Sequence, residues 1–345
     1  MERILITGVQ GFVGRYLLAH WLAVDPAVEI QGIGRSKECP DSFTHTVHWA
    51  GAALAAPLPA PLRIKDCDRF RYSAMDVLEK TELIDLLRQF RPDGIIHLAS
   101  LLPGAGAWEL FRTNVGGTLS LMEAIAESHV GIEKLVISSS SAVYGAPSDG
   151  DLPLSEGAAC MPIDQYGASK LAAEHASRIL AVQERIPAVW ARTFNVVGPG
   201  QHETHLFGMV ARSIGSISTG VSPHRLRVGS LDATRDYADV RDVASGLRLL
   251  AKQGRPGNVY NLASGKETSA RSLVQLFMDV AGLAHLEIEQ ETEAPRIPRH
   301  FAFIGRIEAL GFRQSRSLQQ SVADTLNYYQ YEVAHAPELP VQMTQ

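Results

Sequence analysis

The sequence has few cysteines, three in 345 residues, at Cys39, Cys67 and Cys160. They are odd in number, far apart and without paired spacing. Such a pattern encodes neither a disulfide framework nor a zinc site. We therefore expect a protein of the reducing cytoplasm that holds no metal ion.

The sequence also has little excess charge and no long apolar run. The formal net charge is −5, with 20% charged and 46% hydrophobic residues, which describes a globular protein with a full core. The basic field of nucleic-acid or anionic-membrane binders is absent, so we expect neither partner. The opening "MERILITG" enters a predicted strand without a cationic leader, so we expect no signal peptide and no membrane span.

Short apolar runs alternate with segments of helical period from "RILITG" to "KLVISSS". This alternation predicts an α/β fold, a Rossmann-type doubly wound parallel sheet, and a smaller C-terminal α/β substrate lobe follows where it breaks down. The Ala- and Pro-rich stretch Trp49 to Arg63 has no clear period and is predicted to be an inserted surface loop. The predicted dinucleotide-binding domain spans 1–190, and the chain returns to it near 225–262. The predicted substrate lobe consists of 191–224 and 263–332, and 333–345 is a loose tail.

A glycine-rich stretch, "TGVQGFVG", places Gly8, Gly11 and Gly14 between the first predicted strand and the first predicted helix. Small residues there let the backbone approach a pyrophosphate at the helix N-terminus. Three glycines alone could form a plain tight turn. Their position at the first strand–helix junction of an alternating chain favours dinucleotide binding.

The second predicted strand ends in "GIGRSK" and lacks the acidic residue that usually holds the ribose hydroxyls of NAD. A 2′-phosphate about 4 Å from a carboxylate would be repelled by roughly 4 kcal/mol at an effective dielectric of 20. Arg35 would attract it instead, with Ser36 and Lys37 as helpers. We therefore favour NADP(H), while NAD(H) is possible if Arg35 is only a solvated loop cation.

A serine run, "SSSSAVYG", closes a predicted strand, and "YGASK" opens a predicted helix. Lys170 follows Tyr166 by one helical turn, and its charge is expected to bring the tyrosine pKa, about 10 when unperturbed, toward neutrality. Ser140 can then hydrogen-bond a substrate oxygen and fix it against the tyrosine. The alternative is an ordinary Tyr–Lys pair on a helix surface.

With these motifs the sequence resembles the extended short-chain dehydrogenase/reductase (NAD-dependent epimerase/dehydratase) family over residues 1–332. The matching stretches are TGVQGFVG, HLAS, TNVGGT, SSSSAVYG, YGASK and RDYADVRDV. Two others, "RTFNVVGPGQ" and "VGSLDATRDYADVRDV", look most like the GDP-sugar branch, which contains GDP-mannose 4,6-dehydratases and GDP-6-deoxy-4-ketohexose reductases. The resemblance implies a homodimer formed through the predicted helices Trp108 to Ala126 and Gln165 to Arg185.

The resemblance also implies a set of site residues. It makes Ser140, Tyr166 and Lys170 catalytic. The implied cofactor-binding residues are Gly8, Gln10, Gly11, Phe12, Val13, Gly14, Arg35, Ser36, Asp76, Val77, Leu98, Ala99, Ser138, Tyr166, Lys170 and Val196. The implied substrate-binding residues are Ser141, Asn195, Arg235 and Arg296, and an arginine fork suits the oxygens of a diphosphate.

The residues around the serine run bear on the reaction. The family's 4,6-dehydratases carry a glutamate two residues before the tyrosine of "VYG", and here Ser141 and Ala142 stand in its neighbourhood. Neither side chain can take up a proton from the sugar at neutral pH, so dehydration is disfavoured. We expect NADPH-dependent reduction of a nucleotide-linked 4-keto-(6-deoxy)hexose with Tyr166 as acid/base. The alternatives are a nucleotide-sugar epimerase with tightly bound NAD(P) and a non-catalytic NADP-binding sensor.

Two departures from the branch leave the nucleotide base and the sugar open. The loop Leu101 to Arg112, which lines the sugar pocket in relatives, is several residues shorter than usual. Arg299 stands where the branch usually has an acidic residue thought to hold the nucleotide ribose.

Overall fold

The computed structural model describes residues 1–64, 67–221, 225–283, 285–290 and 294–336. The strands are β1 Arg3–Thr7, β2 Glu29–Gly34, β3 Ser42–Trp49, β4 Ala52–Pro57, β5 Phe70–Ala74, β6 Gly94–His97, β7 Lys134–Ser140, β8 Ala188–Thr193, β9 Asn195–Val197, β10 Arg225–Val228, β11 Thr234–Arg235, β12 Tyr237–Asp239, β13 Val259–Leu262, β14 Thr268–Ser269 and β15 Glu287–Gln290. The α-helices are α1 Phe12–Val24, α2 Lys80–Phe90, α3 Ala107–Leu110, α4 Gly117–Ser128, α5 Gln165–Gln183, α6 Leu206–Ser218, α7 Val240–Gln253, α8 Ala270–Ala281, α9 Gly305–Glu308 and α10 Leu318–Asn327.

Seven parallel strands form the central sheet, in the order β13-β8-β7-β6-β1-β2-β5. The chain runs outward from β1 in one direction through β2 and β5, and in the other through β6, β7, β8 and β13. The predicted Rossmann-type sheet is therefore confirmed. Its strand order reverses between β1 and β6, and ligands of such sheets bind outside the carboxyl ends of the strands at this point.

The strands of this sheet read as apolar runs because both faces are covered. In β1, Ile4 and Ile6 belong to one buried cluster and Leu5 to another, as the alternation of side chains along a strand requires. The first cluster takes Trp21 from α1, and the second takes Leu121 from α4. Helices thus pack on both sides of the sheet and leave its carboxyl edge for the site.

The predicted surface loop over Trp49 to Arg63 is wrong. Strands β3 and β4 form an antiparallel hairpin, and Leu54 is buried. Trp49 stacks on Tyr329 with ring centroids 5.9 Å apart, and the Tyr328 hydroxyl donates to the Pro57 carbonyl at 3.0 Å. Alanine and proline are poor strand formers, so the local sequence pattern did not predict this hairpin. Contacts with Tyr328 and Tyr329, far away in the sequence, hold it in place.

The last helix is shorter than the segment that precedes the predicted tail. Helix α10 ends at Asn327, and the chain continues as a π-helix over Tyr328–Val333. Val333, the first residue of the predicted loose tail, is buried, while residues 337–345 of that tail lie outside the described residues. The proposed domain boundaries as a whole stay a prediction.

Three buried aspartates hold the second half of the chain together. Asp236 accepts hydrogen bonds from the amides of Ser264 (2.7 Å) and Gly265 (2.9 Å), and Asp242 accepts one from the amide of Ser315 (2.9 Å). Asp239, between them, accepts from the hydroxyl of Ser321 at 2.6 Å. The stretch "RDYADVRD" therefore fixes three distant segments relative to the strand that carries Arg235.

The three cysteines are free. Among the residues that the structure describes, no helix combines the length and apolar character that a bilayer crossing requires. Within the same ranges, no group of three or more His, Cys, Asp or Glu side chains is placed to hold a metal ion.

Gly145, which ends the turn after β7, provides a test of this packing. Its φ is +70°, and an added Cβ would overlap the carbonyl oxygen of Met161. We predict that Gly145→Ala lowers the free energy of unfolding by about 3 kcal/mol, because backbone strain adds to a main-chain clash. Gly282→Ala is the control: at φ +68° with no atom within 4 Å, it should lose only about 1 kcal/mol. Equal losses on chemical denaturation would contradict the prediction.

Candidate active site

The glycine loop lies between β1 and α1 at the reversal of strand order. Gly8 has φ +71°, and an added Cβ would lie 2.8 Å from the amide nitrogen of Ala99. An added Cβ at Gly14 would overlap the Gly8 carbonyl oxygen. No side chain caps the N-terminus of α1 at Gly11, so the first amides of the helix point outward without a side-chain partner. This arrangement fits a dinucleotide pyrophosphate.

Most of the other predicted cofactor residues lie along the same edge of the sheet. Arg35 is exposed and Ser36 half-buried directly after β2, and the Gly8 amide donates to the Ile33 carbonyl at 2.8 Å. Of the remaining positions, Phe12 and Val13 open α1, Asp76 and Val77 follow β5, and Leu98 and Ala99 follow β6. Ser138 lies on β7, and Val196 lies on β9, which pairs with β12 outside the central sheet. The side chain of Gln10 is buried and contacts the loop after β2.

Ser140, Tyr166 and Lys170 come together at the carboxyl end of β7. Ser140 is the last residue of β7, and its hydroxyl is a hydrogen-bond partner of the Tyr166 phenol. Lys170 is buried one turn farther along α5, where its Nζ donates to the Ser138 carbonyl at 2.6 Å. The predicted catalytic residues are therefore neighbours in space.

The start of α5 is set by two local features. Asp164 is the N-cap and accepts a hydrogen bond from the Gly167 amide at 2.7 Å. An added Cβ at Gly167 would lie 2.6 Å from the Ala142 carbonyl oxygen. Glycine after Tyr166 thus allows α5 to approach the turn that follows Ser140, and this approach brings the tyrosine to the serine.

The pKa of Tyr166 moves opposite to the expected direction. Burial of the phenol raises its pKa, and the hydrogen bond with Ser140 opposes that rise only in part. Burial also lowers the pKa of Lys170 to about 8, against the attraction of Glu174. Lys170 directs its ammonium at the Ser138 carbonyl, and its charge does not offset the desolvation of the phenol. At neutral pH the tyrosine keeps its proton and the lysine its charge.

A carboxylate that the motif analysis missed lies behind Lys170. Glu174 is buried and accepts from the Ser139 hydroxyl at 2.9 Å and from Arg192 Nη2 at 2.6 Å. It follows Lys170 by four residues, so the helical spacing could have indicated it. Arg192 comes from β8, which the sequence alone does not place beside Glu174.

His97, from the "HLAS" stretch, is buried between three elements. Its Nδ1 lies 2.8 Å from Thr7 Oγ1, and its Nε2 lies 3.1 Å from Thr118 Oγ1. The Thr118 hydroxyl donates to the Asn114 carbonyl, so Nε2 must donate to Thr118 and Nδ1 accept from Thr7. Burial first, and then the charge of Lys170, lower the pKa of His97 to about 3. A neutral imidazole therefore joins β1, β6 and α4.

Among the predicted substrate residues, Arg235 and Ser141 lie near one buried histidine. Arg235 donates to the Ile297 carbonyl at 2.9 Å, next to the exposed Arg296. Burial and then Arg235 lower the pKa of His300 to about 4, against a hydrogen bond with the Ser141 backbone. The sequence did not indicate His300, because a single histidine outside any motif has no characteristic spacing to other site residues.

Asn195 and Arg299 are occupied by protein partners. Asn195 Nδ2 donates to the Asp236 carbonyl at 3.2 Å, which places it beside Arg235. Arg299 donates from Nε and Nη2 to Glu267, both at 2.7 Å, and from Nη1 to Asp149 at 2.9 Å. The arginine at the atypical position is therefore already paired with two carboxylates.

Comparisons with known proteins agree with this geometry. The model of the NAD dependent epimerase/dehydratase family matches residues 4–263. The chain belongs to this family. The prediction of an enzyme of this nicotinamide-dependent family, made from the motifs, is confirmed.

Individual relatives differ in their reactions. The chain is 34% identical over 294 residues to GDP-6-deoxy-D-mannose reductase from Pseudomonas aeruginosa, covering 84% of this chain and 83% of the relative. It is 32% identical over 260 residues to UDP-glucose 4-epimerase from Streptomyces lividans, covering 69% and 75%. The solved structure of RMD from Pseudomonas aeruginosa complexed with NADPH superposes with a TM-score of 0.80 at 29% identity, covering 96% of this chain and all of the other. The roles of the individual site residues stay predictions.

The carboxylate behind Lys170 generates a prediction about pH. Activity that needs the Lys170 ammonium falls as pH rises through about 8, the folded-state pKa of the group. In Glu174→Gln this alkaline limb should move to lower pH, because burial is then less opposed. The measurement is the pH dependence of nicotinamide-cofactor turnover. Ser139→Ala removes a hydrogen bond of Glu174 but no charge, so the alkaline limb should stay in place. An alkaline limb that does not move in Glu174→Gln would refute the effect of Glu174 on the pKa of Lys170.

Proposed function

We propose that the protein reduces a nucleotide-linked 4-keto-(6-deoxy)hexose with NADPH. The observation that carries this proposal is the meeting of Ser140, Tyr166 and Lys170 beside the glycine loop, with a tyrosine that keeps its proton at neutral pH. The similarity to a GDP-6-deoxy-D-mannose reductase supports a sugar-nucleotide substrate.

In this proposal the protein residues deliver a proton. When bound, the nicotinamide supplies the hydride to the keto carbon. Tyr166 donates its proton to the oxygen that becomes an alkoxide, and Ser140 holds that oxygen by a hydrogen bond. The Lys170 ammonium, present below about pH 8, stabilises the phenolate that remains.

The proposed cofactor is NADP(H). The amides at the start of α1 would hold the pyrophosphate, and Arg35 and Ser36 would face the adenosine 2′-phosphate. The exposure of Arg35 directly after β2 and the NADPH in the solved RMD structure support this choice. Two solved structures of similar fold contain NAD, so NAD(H) is the alternative cofactor.

The proposed diphosphate site includes Arg235 and Arg296, with Asn195 and Ser141 nearer the sugar. Burial lowers the pKa of Arg235, whose Nη1 is held by the carbonyls of Thr234 and Ile297. A cation fixed in this way suits a diphosphate. Arg299 stands where the branch usually has an acidic residue for the nucleotide ribose, and it is paired with Glu267. The ribose would therefore be held by a carboxylate from another position, or without a carboxylate.

Two other reactions of the family are weaker candidates. A 4,6-dehydratase needs a proton-accepting side chain beside the sugar, and Ala142 contributes only a methyl group at the corresponding position. An epimerase uses the same serine, tyrosine and lysine, and the likeness to a UDP-glucose 4-epimerase keeps it as the second candidate.

The test is consumption of NADPH and NADH with GDP-, UDP- and dTDP-linked 4-keto-6-deoxyhexoses and the matching unoxidised sugars. We expect stoichiometric loss of NADPH with one keto sugar. Tyr166→Phe should lower kcat by about 10³-fold, because the proton donor is lost. Conversion of an unoxidised sugar to its epimer without net cofactor loss would refute the reductase and establish the epimerase.

We also propose that two copies of the chain pair through α5 and the stretch Trp108 to Ala126. Ile179 and Val182 on α5 are 61% and 80% exposed, and Trp108 on α3 is 76% exposed. Together with the half-buried Ala172 and Ala176, the two α5 residues form a stripe at helical spacing. A second copy would cover this apolar surface.

The dimer can be tested by sedimentation. Val182→Glu should convert a dimer into a monomer, because a charge in an apolar interface is left without a partner. The control is Val24→Glu on α1, which is 47% exposed and outside the stripe, and it should leave the mass unchanged. A wild-type protein that sediments as a monomer would refute the proposal.

A further inference from the structure

The loop from Gly34 to Cys39 carries Arg35 and Ser36, and a buried glutamine of the glycine loop holds its main chain. Gln10 is 3% exposed. Its Nε2 donates to the Lys37 carbonyl at 3.0 Å, and its Oε1 accepts from the Cys39 amide at 2.6 Å. One side-chain amide thus bridges the pyrophosphate loop and the loop after β2.

A buried arginine extends this bridge. Arg15 on α1 is 5% exposed and donates from Nη2 to Gln10 Oε1 at 3.1 Å, to the Ser42 carbonyl at 3.3 Å and to the Cys39 carbonyl. All three acceptors are neutral amide oxygens, so these contacts leave the positive charge in place. The guanidinium therefore keeps a positive charge beside the loop, where it is also attracted by the carboxylate of Glu38 in the loop itself.

Tyr72 on β5 holds the other end of the loop. Its hydroxyl lies 2.6 Å from the Ser36 carbonyl and 2.9 Å from the Gly34 carbonyl. The single hydroxyl hydrogen of Tyr72 serves one of these two carbonyls at a time, and the Gly34 carbonyl also accepts from the Met75 amide at 2.8 Å. With Gln10 and Arg15 included, the carbonyl oxygens of Gly34, Ser36, Lys37 and Cys39 each have a protein donor. Protein donors thus compensate the partial negative charges that would repel a phosphate dianion.

We propose that Gln10, Arg15 and Tyr72, here called the clasp, are positioning residues that determine the preference for a cofactor 2′-phosphate. This inference rests on the proposed use of NADP(H). An exposed ion pair typically gains only about fivefold in affinity or less, because solvent screening and the ordering of the side chains offset most of the Coulomb attraction. A larger preference requires that the loop be held in the binding conformation before the cofactor arrives.

The experiment measures binding alone, without a sugar substrate. Calorimetry gives dissociation constants of 2′,5′-ADP and 5′-ADP, and of NADPH and NADH, for wild type, Gln10→Met and Tyr72→Phe. The preference for the 2′-phosphorylated partner should fall about tenfold in Gln10→Met and about threefold in Tyr72→Phe. A general loss of packing would weaken both partners alike and leave the ratio unchanged.

Gln31→Met is the matched control. Gln31 is 6% exposed on β2, and its Nε2 donates to the Gly32 carbonyl and to Ser73 Oγ, both at 3.1 Å, so it is a buried glutamine outside the clasp. This variant should keep the wild-type ratio. An unchanged ratio in both clasp variants, or an equal fall in Gln31→Met, would overturn the inference while leaving NADPH use intact. A wild type that binds both partners equally would overturn the NADP(H) proposal and the inference with it.

Discussion

The burial of a lysine ammonium at Lys170 is the constraint on which the active-site architecture depends. Removing a charged amine from water is costly, and burial lowers the pKa of this lysine to about 8. The Ser138 carbonyl and the Glu174 carboxylate offset that cost from two sides. Glu174 is buried in turn and needs Arg192 and Ser139 as partners. One buried cation thus accounts for a chain of polar contacts from α5 to β8.

This constraint also explains why an apolar strand ends in serines. Along β7 the Ser138 carbonyl accepts from Lys170, the Ser139 hydroxyl donates to Glu174, and Ser140 meets the Tyr166 phenol. Successive side chains of a strand point to opposite faces, so Ser139 reaches the carboxylate behind the lysine while Ser140 reaches the tyrosine. The serine run supports both the electrostatics and the proton donor of the proposed reaction.

Features that depend on local spacing were accessible from the sequence. The apolar alternation predicted the sheet, and the four-residue step from Tyr166 to Lys170 predicted their common helix face. The hairpin of β3 and β4 was missed because contacts with Tyr328 and Tyr329 hold an alanine-rich strand in place. The predicted direction of the Tyr166 pKa shift was wrong because the desolvation of a phenol depends on tertiary packing, which the sequence does not show. The contacts of Gln10 cross 27 to 29 positions of sequence and leave no periodic trace.

In the proposed function, the predicted catalytic residues determine the proton transfer, and the cofactor loop determines how the dinucleotide is held. In the proposed reaction, serine, tyrosine and lysine move a proton to or from a carbinol oxygen, and reduction and epimerisation both need that step. A reductase must release its oxidised cofactor after each turnover, whereas an epimerase retains the cofactor and returns the hydride. The difference between the two therefore lies in how tightly the dinucleotide is held, and we propose that the loop from Gly34 to Cys39 contributes to that affinity. The proposed clasp of Gln10, Arg15 and Tyr72 therefore bears on the proposed function through the cofactor, as Tyr166 bears on it through the proton.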